Sequence, residues 1–222
     1  MRWTNRPKET NVPTESMESA RPRGYVRWSV CALLFFATTV NYIDRQVIAI
    51  LKPTLQHDLH WSEKDFGWIV FAFTGAYAAA MPFAGRLVDR LGARIGYAIA
   101  IVVWSLASMS HAAAHTLWQF AAARIGLGAG ESANFPAAIT TVAEWFPKKE
   151  RAFATGLFNS GSNLGAMIAP LLVPFVALHL GWRATFFVTG GLDLIWLAAW
   201  LTYFRKPAEH PMLSATELAY IQ

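Results

Sequence analysis

Disulfide and CxxC chemistry are excluded within the chain, because its 222 residues include one cysteine, Cys31, set in an apolar stretch. Charge is scarce as well. Only 15% of residues are Asp, Glu, Lys or Arg, against about a quarter in soluble globular domains. There is no glycine-rich phosphate loop, no metal-ligand cluster and no nucleophile elbow. The histidines (His57, His60, His111, His115, His179 and His210) fall in expected loops or in the C-terminal tail. Neither an enzyme, nor a metal site, nor an organic cofactor is expected. No cleavable signal is expected either: residues 1–26 are polar, carry Pro7, Pro13 and Pro22, and read as a disordered cytoplasmic tail.

What is abundant is apolar length. Hydrophobic residues make up 55% of the chain and gather into six runs, at 28–51, 63–85, 94–112, 116–144, 153–178 and 184–204. Each approaches or exceeds the roughly 20 residues a helix needs to cross a bilayer. The connections are Lys52-Pro53 to Trp61, Arg86 to Arg94, His111 to His115, Phe146 to Arg151 and His179 to Arg183. The expected organisation is a tail over 1–26, a six-helix membrane bundle over 27–205, and the start of a central cytoplasmic loop over 206–222 that ends on the amphipathic stretch Ser214 to Ile221.

Basic residues set the orientation. With the N-terminus inside, the inner segments hold fourteen of the 19 Lys and Arg, including Arg86, Arg90, Arg94, Lys148, Lys149, Arg151, Arg205 and Lys206. The outer loops hold Lys52, Lys64 and Arg183. Both termini of the chain are expected to be cytoplasmic, in an inner (plasma) membrane. The +5 net charge follows from this asymmetry and needs no nucleic-acid partner.

Four charged residues interrupt two of the runs: Asp44 and Arg45 in the first, Arg124 and Glu131 in the fourth. An ionised side chain at the bilayer centre costs at least about 2.5 kcal/mol, so such residues face a protein interior or a watery cavity and mark ion or substrate pathways. At 1.5 Å per helical residue, Asp44 and Arg45 lie about 10 Å below the outer end of their helix, and Arg124 about 12 Å below the end of its own. The two arginines are thus expected at similar depth, able to converge on one anion. Glu131, two turns after Arg124 on the same face, is expected roughly 10 Å deeper. A carboxylate in a low-dielectric cavity can exchange a proton near neutral pH, which a proton-coupled carrier needs. The plainer alternative is a salt-bridge set that only locks the first helix to the fourth.

Other polar side chains on these helices are candidate substrate contacts. Asn159, Ser162 and Asn163 in the fifth run offer amides and a hydroxyl suited to a hydroxyl-rich ligand, with Asn159 and Asn163 on one face. Tyr77 beside Thr74, and Tyr42 with Asn41, offer further polar groups. Each has an alternative as an interhelical hydrogen bond. Pro136 is expected to kink the fourth helix, and Gly126, Gly128, Gly130, Gly161 and Gly165 to allow close helix packing. Asp193 stands alone in the sixth run and receives no role.

Three stretches carry a resemblance. Gly85-Arg-Leu-Val-Asp89-Arg90-Leu-Gly92-Ala-Arg94, between the second and third helices, closely resembles the loop signature of the major facilitator superfamily. There Gly85 would let a neighbouring helix end pack close, and Asp89 would cap a helix or pair with a base. Asn41-Tyr42-Ile43-Asp44-Arg45, with Gly130-Glu131-Ser-Ala-Asn134-Phe135-Pro136 and Glu144-Trp-Phe-Pro147, resembles the anion:cation symporter family within it, the hexuronate, galactonate and sialin-type carriers. Ala154-Thr-Gly156-Leu-Phe-Asn159-Ser-Gly161-Ser-Asn163-Leu-Gly165 looks most like the hexuronate branch.

The resemblance implies a fold and a function. The fold is the all-α N-terminal six-helix half of a twelve-helix carrier, a 3+3 inverted repeat that works with a C-terminal six-helix half. The function is proton-coupled symport of a small organic anion, a sugar acid, driven by the proton gradient. Asp44 and Glu131 would be the proton-coupling carboxylates; Arg45, Arg124, Tyr77, Tyr42, Asn159, Ser162 and Asn163 would face substrate. Ser162 stands where a galactonate carrier has glutamine. An exchanger or efflux carrier, and a truncated fragment that does not transport, remain the alternatives.

Overall fold

The computed structural model describes residues 24–222, so the expected N-terminal tail lies almost wholly outside the described residues. Among the described residues all regular structure is helical: α1 (Val26–Leu59), α2 (Glu63–Ser110), α3 (Leu117–Glu131), α4 (Asn134–Trp145), α5 (Arg151–Asn159), α6 (Gly161–Leu180), α7 (Trp182–Tyr203) and α8 (Ala215–Ile221), with two short 3-10 turns. These make six crossings, because α2 is two helices in one, and the pairs α3/α4 and α5/α6 are single crossings with a break inside.

The breaks have identifiable causes. In α2 only Gly92 leaves helical geometry, with φ 77° and ψ 160°; that positive φ is open to glycine at little cost. The expected loop from Arg86 to Arg94 therefore shrinks to one residue, and Arg86 to Leu91 are helical. Pro136 does bend the fourth crossing, but the break falls at Ser132 and Ala133, since a proline ring clashes with the carbonyl four residues before it. Pro136 itself sits in the first turn of α4, where its missing N–H costs nothing. The fifth crossing breaks at Ser160, which composition gave no reason to expect. Finally, α1 runs past the expected end at residue 51, through Lys52 and Pro53, to a left-handed cap at His60 (φ 57°). The polar residues of that last stretch lower its hydropathy without opposing a helix.

Close packing follows the glycines. A Cβ on Gly161 or Gly165 would collide with the Phe35 or Thr39 carbonyl of α1, and one on Gly128 of α3 with the Phe73 carbonyl in the first half of α2. The pairings α1 with α6 and α3 with α2 correspond to each other if helices 1–3 repeat as helices 4–6, which agrees with an inverted repeat. Each half buries large aromatics: Trp104, Trp145, Trp200 and Tyr97 toward the expected inner side, and Phe120, Trp182 and Phe186 toward the outer.

The C-terminal stretch is ordered rather than a bare loop. Ser214 accepts a hydrogen bond from the Glu217 N–H at 3.2 Å, starting α8. Buried Glu217 then accepts from the Arg27 guanidinium at 3.1 Å, while Arg27 Nε meets Glu150 at 3.3 Å and Tyr220 Oη donates to Glu150 at 2.6 Å. Glu217 is 1% exposed, so removing its cation leaves a buried charge alone. Breaking such a pair costs about 3–5 kcal/mol. Arg27→Ala should clearly lower the midpoint of thermal unfolding in detergent, and adding Glu217→Gln should restore much of the loss; an Arg27→Ala protein as stable as the parent would show that this latch holds nothing.

Candidate functional site

The charged cluster is built where α1, α2, α3 and α7 meet. Arg45 on α1 reaches across to Glu131 on α3, with Nε 2.6 Å from Oε2; the arginine side chain is 26% exposed and the glutamate fully buried. The depth argument placed Glu131 well below the arginines. A long guanidinium side chain spans the axial offset, so Arg45 and Glu131 are partners. The Arg45 guanidinium also lies over the rings of Tyr77 at 4.7 Å, Tyr42 at 5.3 Å and Phe73 at 5.6 Å. Such stacking favours a cation in a poorly solvated place.

Arg124 occupies the other edge of Phe73, its guanidinium 5.4 Å from the ring centroid. It is 2% exposed, yet its Nε and Nη2 have no acceptor. Buried, unpaired N–H groups on a cation are costly, and a carboxylate would satisfy two of them in a fork. Glu131 likewise keeps one oxygen, Oε1, without a donor. The arginines thus converge on a single aromatic ring, Phe73, which sequence reasoning did not single out.

Asp44 points away from Arg45. Its Oδ1 accepts from Ser108 Oγ of α2 at 3.0 Å, and Ser108 lies 3.4 Å from Thr189 Oγ1 of α7. Beside it is Asp193, which was given no role and no partner. It is 1% exposed, sits one turn after Thr189 on α7, and neither of its carboxylate oxygens has a donor. An isolated Asp in an apolar run was the available signal; only the packing of α7 on α1 and α2 reveals its neighbour. Asn41 is fully buried with both amide atoms unpartnered.

The remaining candidates are less engaged. Asn159 and Asn163 are exposed. Ser162 Oγ donates to the Asn159 carbonyl at 2.7 Å, and Thr74 Oγ1 to the Val70 carbonyl at 3.0 Å, so both hydroxyl protons serve their own helices. In the loop motif, Arg94 Nη2 donates to the Leu201 carbonyl at 2.7 Å. Asp89 and Arg90 are exposed and make no hydrogen bond or ion pair among the described residues. Asp89 lies inside α2, one turn before Gly92, so it does not cap a helix start. A Cβ on Gly85 would meet nothing within 4 Å, so within this chain no neighbour requires that glycine.

A groove of about 730 Å³ opens between α2 and α3, with Lys64 and Asp65 at its edge, but Trp68, Phe71, Trp118 and Ile125 make it chiefly apolar, and none of Asp44, Arg45, Arg124 or Glu131 lines it. Among the described residues no group of three or more His, Cys, Asp or Glu could hold a metal.

The chain was compared with known proteins. It is 37% identical over 196 residues to the galacturonate transporter of Dickeya chrysanthemi, covering 88% of this chain and 57% of that one. It is 38% identical over 196 residues to the hexuronate transporter of Escherichia coli (strain K12), covering 88% and 45%. The chain thus spans about half the length of the curated relatives it matches. A crystal structure of a bacterial homolog of the human lysosomal transporter Spinster, inward-facing and occupied, superposes with a TM-score of 0.73 at 21% identity, over 83% of this chain and 45% of that one; this supports the fold alone. The profile of the Major Facilitator Superfamily matches residues 34–219. With six crossings in repeat-related pairs, charges buried among them and this match over most of its length, the chain belongs to the Major Facilitator Superfamily.

Proposed function

We propose that the chain is the N-terminal six-helix half of a secondary active transporter that takes up a sugar acid, such as a hexuronate or aldonate, together with protons by alternating access. The observation that carries this reading is the Arg45–Glu131 pair, its arginine partly exposed, beside an Arg124 whose Nε and Nη2 lack acceptors. A substrate carboxylate can satisfy Arg124 and compete with Glu131 for Arg45. Once displaced, Glu131 is a buried carboxylate without its cation, and it takes a proton instead. Anion binding and proton binding then favour each other, which is the linkage a symporter requires. Asp44 is the second proton-coupling carboxylate in this scheme.

Sugar acids fit better than lipophilic drugs because the site presents two guanidinium groups, tyrosine hydroxyls and, further along, the exposed Asn159 and Asn163. The names of the two relatives point the same way. The substrate would sit at the midplane between this bundle and a C-terminal six-helix half, rocking of one bundle against the other would alternate access, and the proton gradient would supply the energy. Both termini of the chain would lie on the cytoplasmic side of an inner membrane, a reading that the distribution of its basic residues supports.

The test is uptake of labelled hexuronate into vesicles that hold this chain paired with the C-terminal six helices of the Escherichia coli hexuronate transporter. Saturable uptake that rises with an inward proton gradient is expected. Binding and uptake of lipophilic cations, with no response to sugar acids, would overturn the reading.

A further inference from the structure

We propose that Asp193 and Asp44 form a buried carboxyl pair holding one proton between them, which makes Asp193 a third proton-handling residue beside the arginine site. The proposal rests on the transport reading above for its role in coupling, although the pair itself is argued from geometry. The two carboxyls come from α7 and α1, which meet at Ser108: its Oγ donates to Asp44 Oδ1 at 3.0 Å and lies 3.4 Å from Thr189 Oγ1, one turn before Asp193 on α7. Asp193 is 1% exposed and Asp44 2%. In ionised form both are acceptors only, and indeed both Asp193 oxygens and Asp44 Oδ2 have no donor that meets hydrogen-bond geometry. Neighbouring buried carboxylates without donors are joined by a proton or they repel, and like charges in a dry interior do not both ionise.

The surroundings match a pair that carries one negative charge. Trp104 of α2 adds a buried indole N–H that has no partner of its own. Ser108 donates to Asp44, with Thr189 alongside. The charged and titratable groups facing the pair are few. Arg124 and Glu131 come from α3, and Arg45 from α1 is taken up by Glu131. Tyr97 of α2 gives its hydroxyl to Asn134. His111, at the end of α2, stacks on Phe186 at 4.9 Å and turns its Nδ1 to the Ala107 carbonyl. The cluster therefore sets three carboxyls, Asp44, Glu131 and Asp193, against two guanidinium groups. Arg45 balances Glu131, and Arg124 alone faces the pair. One shared proton makes the buried set neutral, which the bilayer interior favours strongly.

The pair also connects to the substrate. An anion that engages Arg124 removes the counter-charge of the pair, and neutrality then calls for a second proton on it. Asp193 thereby ties proton uptake to occupancy of Arg124, independently of the exchange at Arg45.

Infrared spectroscopy of the 222-residue chain in lipid tests the pair without substrate, gradient or partner half. A protonated-carboxyl C=O band that exchanges slowly in heavy water is expected near neutral pH. It should vanish in Asp193→Asn and in Asp44→Asn and persist in Glu131→Gln. If either variant fails to fold, the parent and Glu131→Gln spectra still decide whether a buried protonated carboxyl exists and whether it is Glu131. Absence of the band in the parent, its persistence in both Asn variants, or its removal by added sodium ions would overturn the proposal, the last by showing that a cation bridges the carboxylates. Because no transport is measured, a carrier that fails to take up sugar acids leaves this result standing, and the converse.

Discussion

Glu131→Gln, in the carrier assembled from this chain and a C-terminal half, is expected to abolish pH-driven accumulation of the proposed sugar acid while leaving exchange of labelled for unlabelled substrate intact. Each proton coupled to a monoanion allows about tenfold accumulation per unit of pH gradient, since one pH unit is about 1.36 kcal/mol. Glutamine cannot take the proton, so the Glu131 share of that accumulation disappears. It can still occupy the fully buried position and present a carbonyl to Arg45, so the helices stay packed and an anion still binds. Counterflow needs binding and rocking only, and it should survive. Loss of both activities would instead assign Glu131 to folding or to substrate binding.

Arg124→Ala should be harsher on affinity. The guanidinium is buried, its Nε and Nη2 lack acceptors, and Phe73 fixes its position at 5.4 Å. Removing one side of a buried, hydrogen-bonded charge pair costs about 2–5 kcal/mol, which is about 30- to 4,000-fold in affinity. Arg124→Lys should recover little, because a single ammonium cannot reproduce the fork that meets a carboxylate. A competition binding assay with a labelled hexuronate reads this directly. Affinity within a few-fold of the parent in Arg124→Ala would remove Arg124 from the site.

The number and nature of the helices were legible in the chain itself, because apolar runs of bilayer length have few alternatives. Where the crossings bend was only partly legible. Pro136 announced a kink, but its effect falls on Ser132, and nothing in the composition around Ser160 marked a break. Residues 52–59 look like a loop by hydropathy, whereas the backbone stays helical. At the site, Asp44, Arg45, Arg124 and Glu131 were visible as charges out of place. A salt bridge between the first and fourth helices was foreseen as an alternative, but not that Arg45 and Glu131 form it, because the reach of Arg45 across to α3 depends on how the helices pack. Phe73 and Asp193 show the limit most clearly. A phenylalanine in an apolar run carries no signal until two guanidinium groups are found against it, and a lone aspartate gains a partner only when α7 is laid on α1.

The central claim is that substrate and proton meet through competition for Arg45. It is tested most directly by adding a hexuronate to the assembled carrier in weakly buffered solution and recording pH. The account predicts proton uptake on binding, reduced in Glu131→Gln while substrate still binds. Substrate binding with no proton uptake in the parent, or with unchanged uptake in Glu131→Gln, would contradict it.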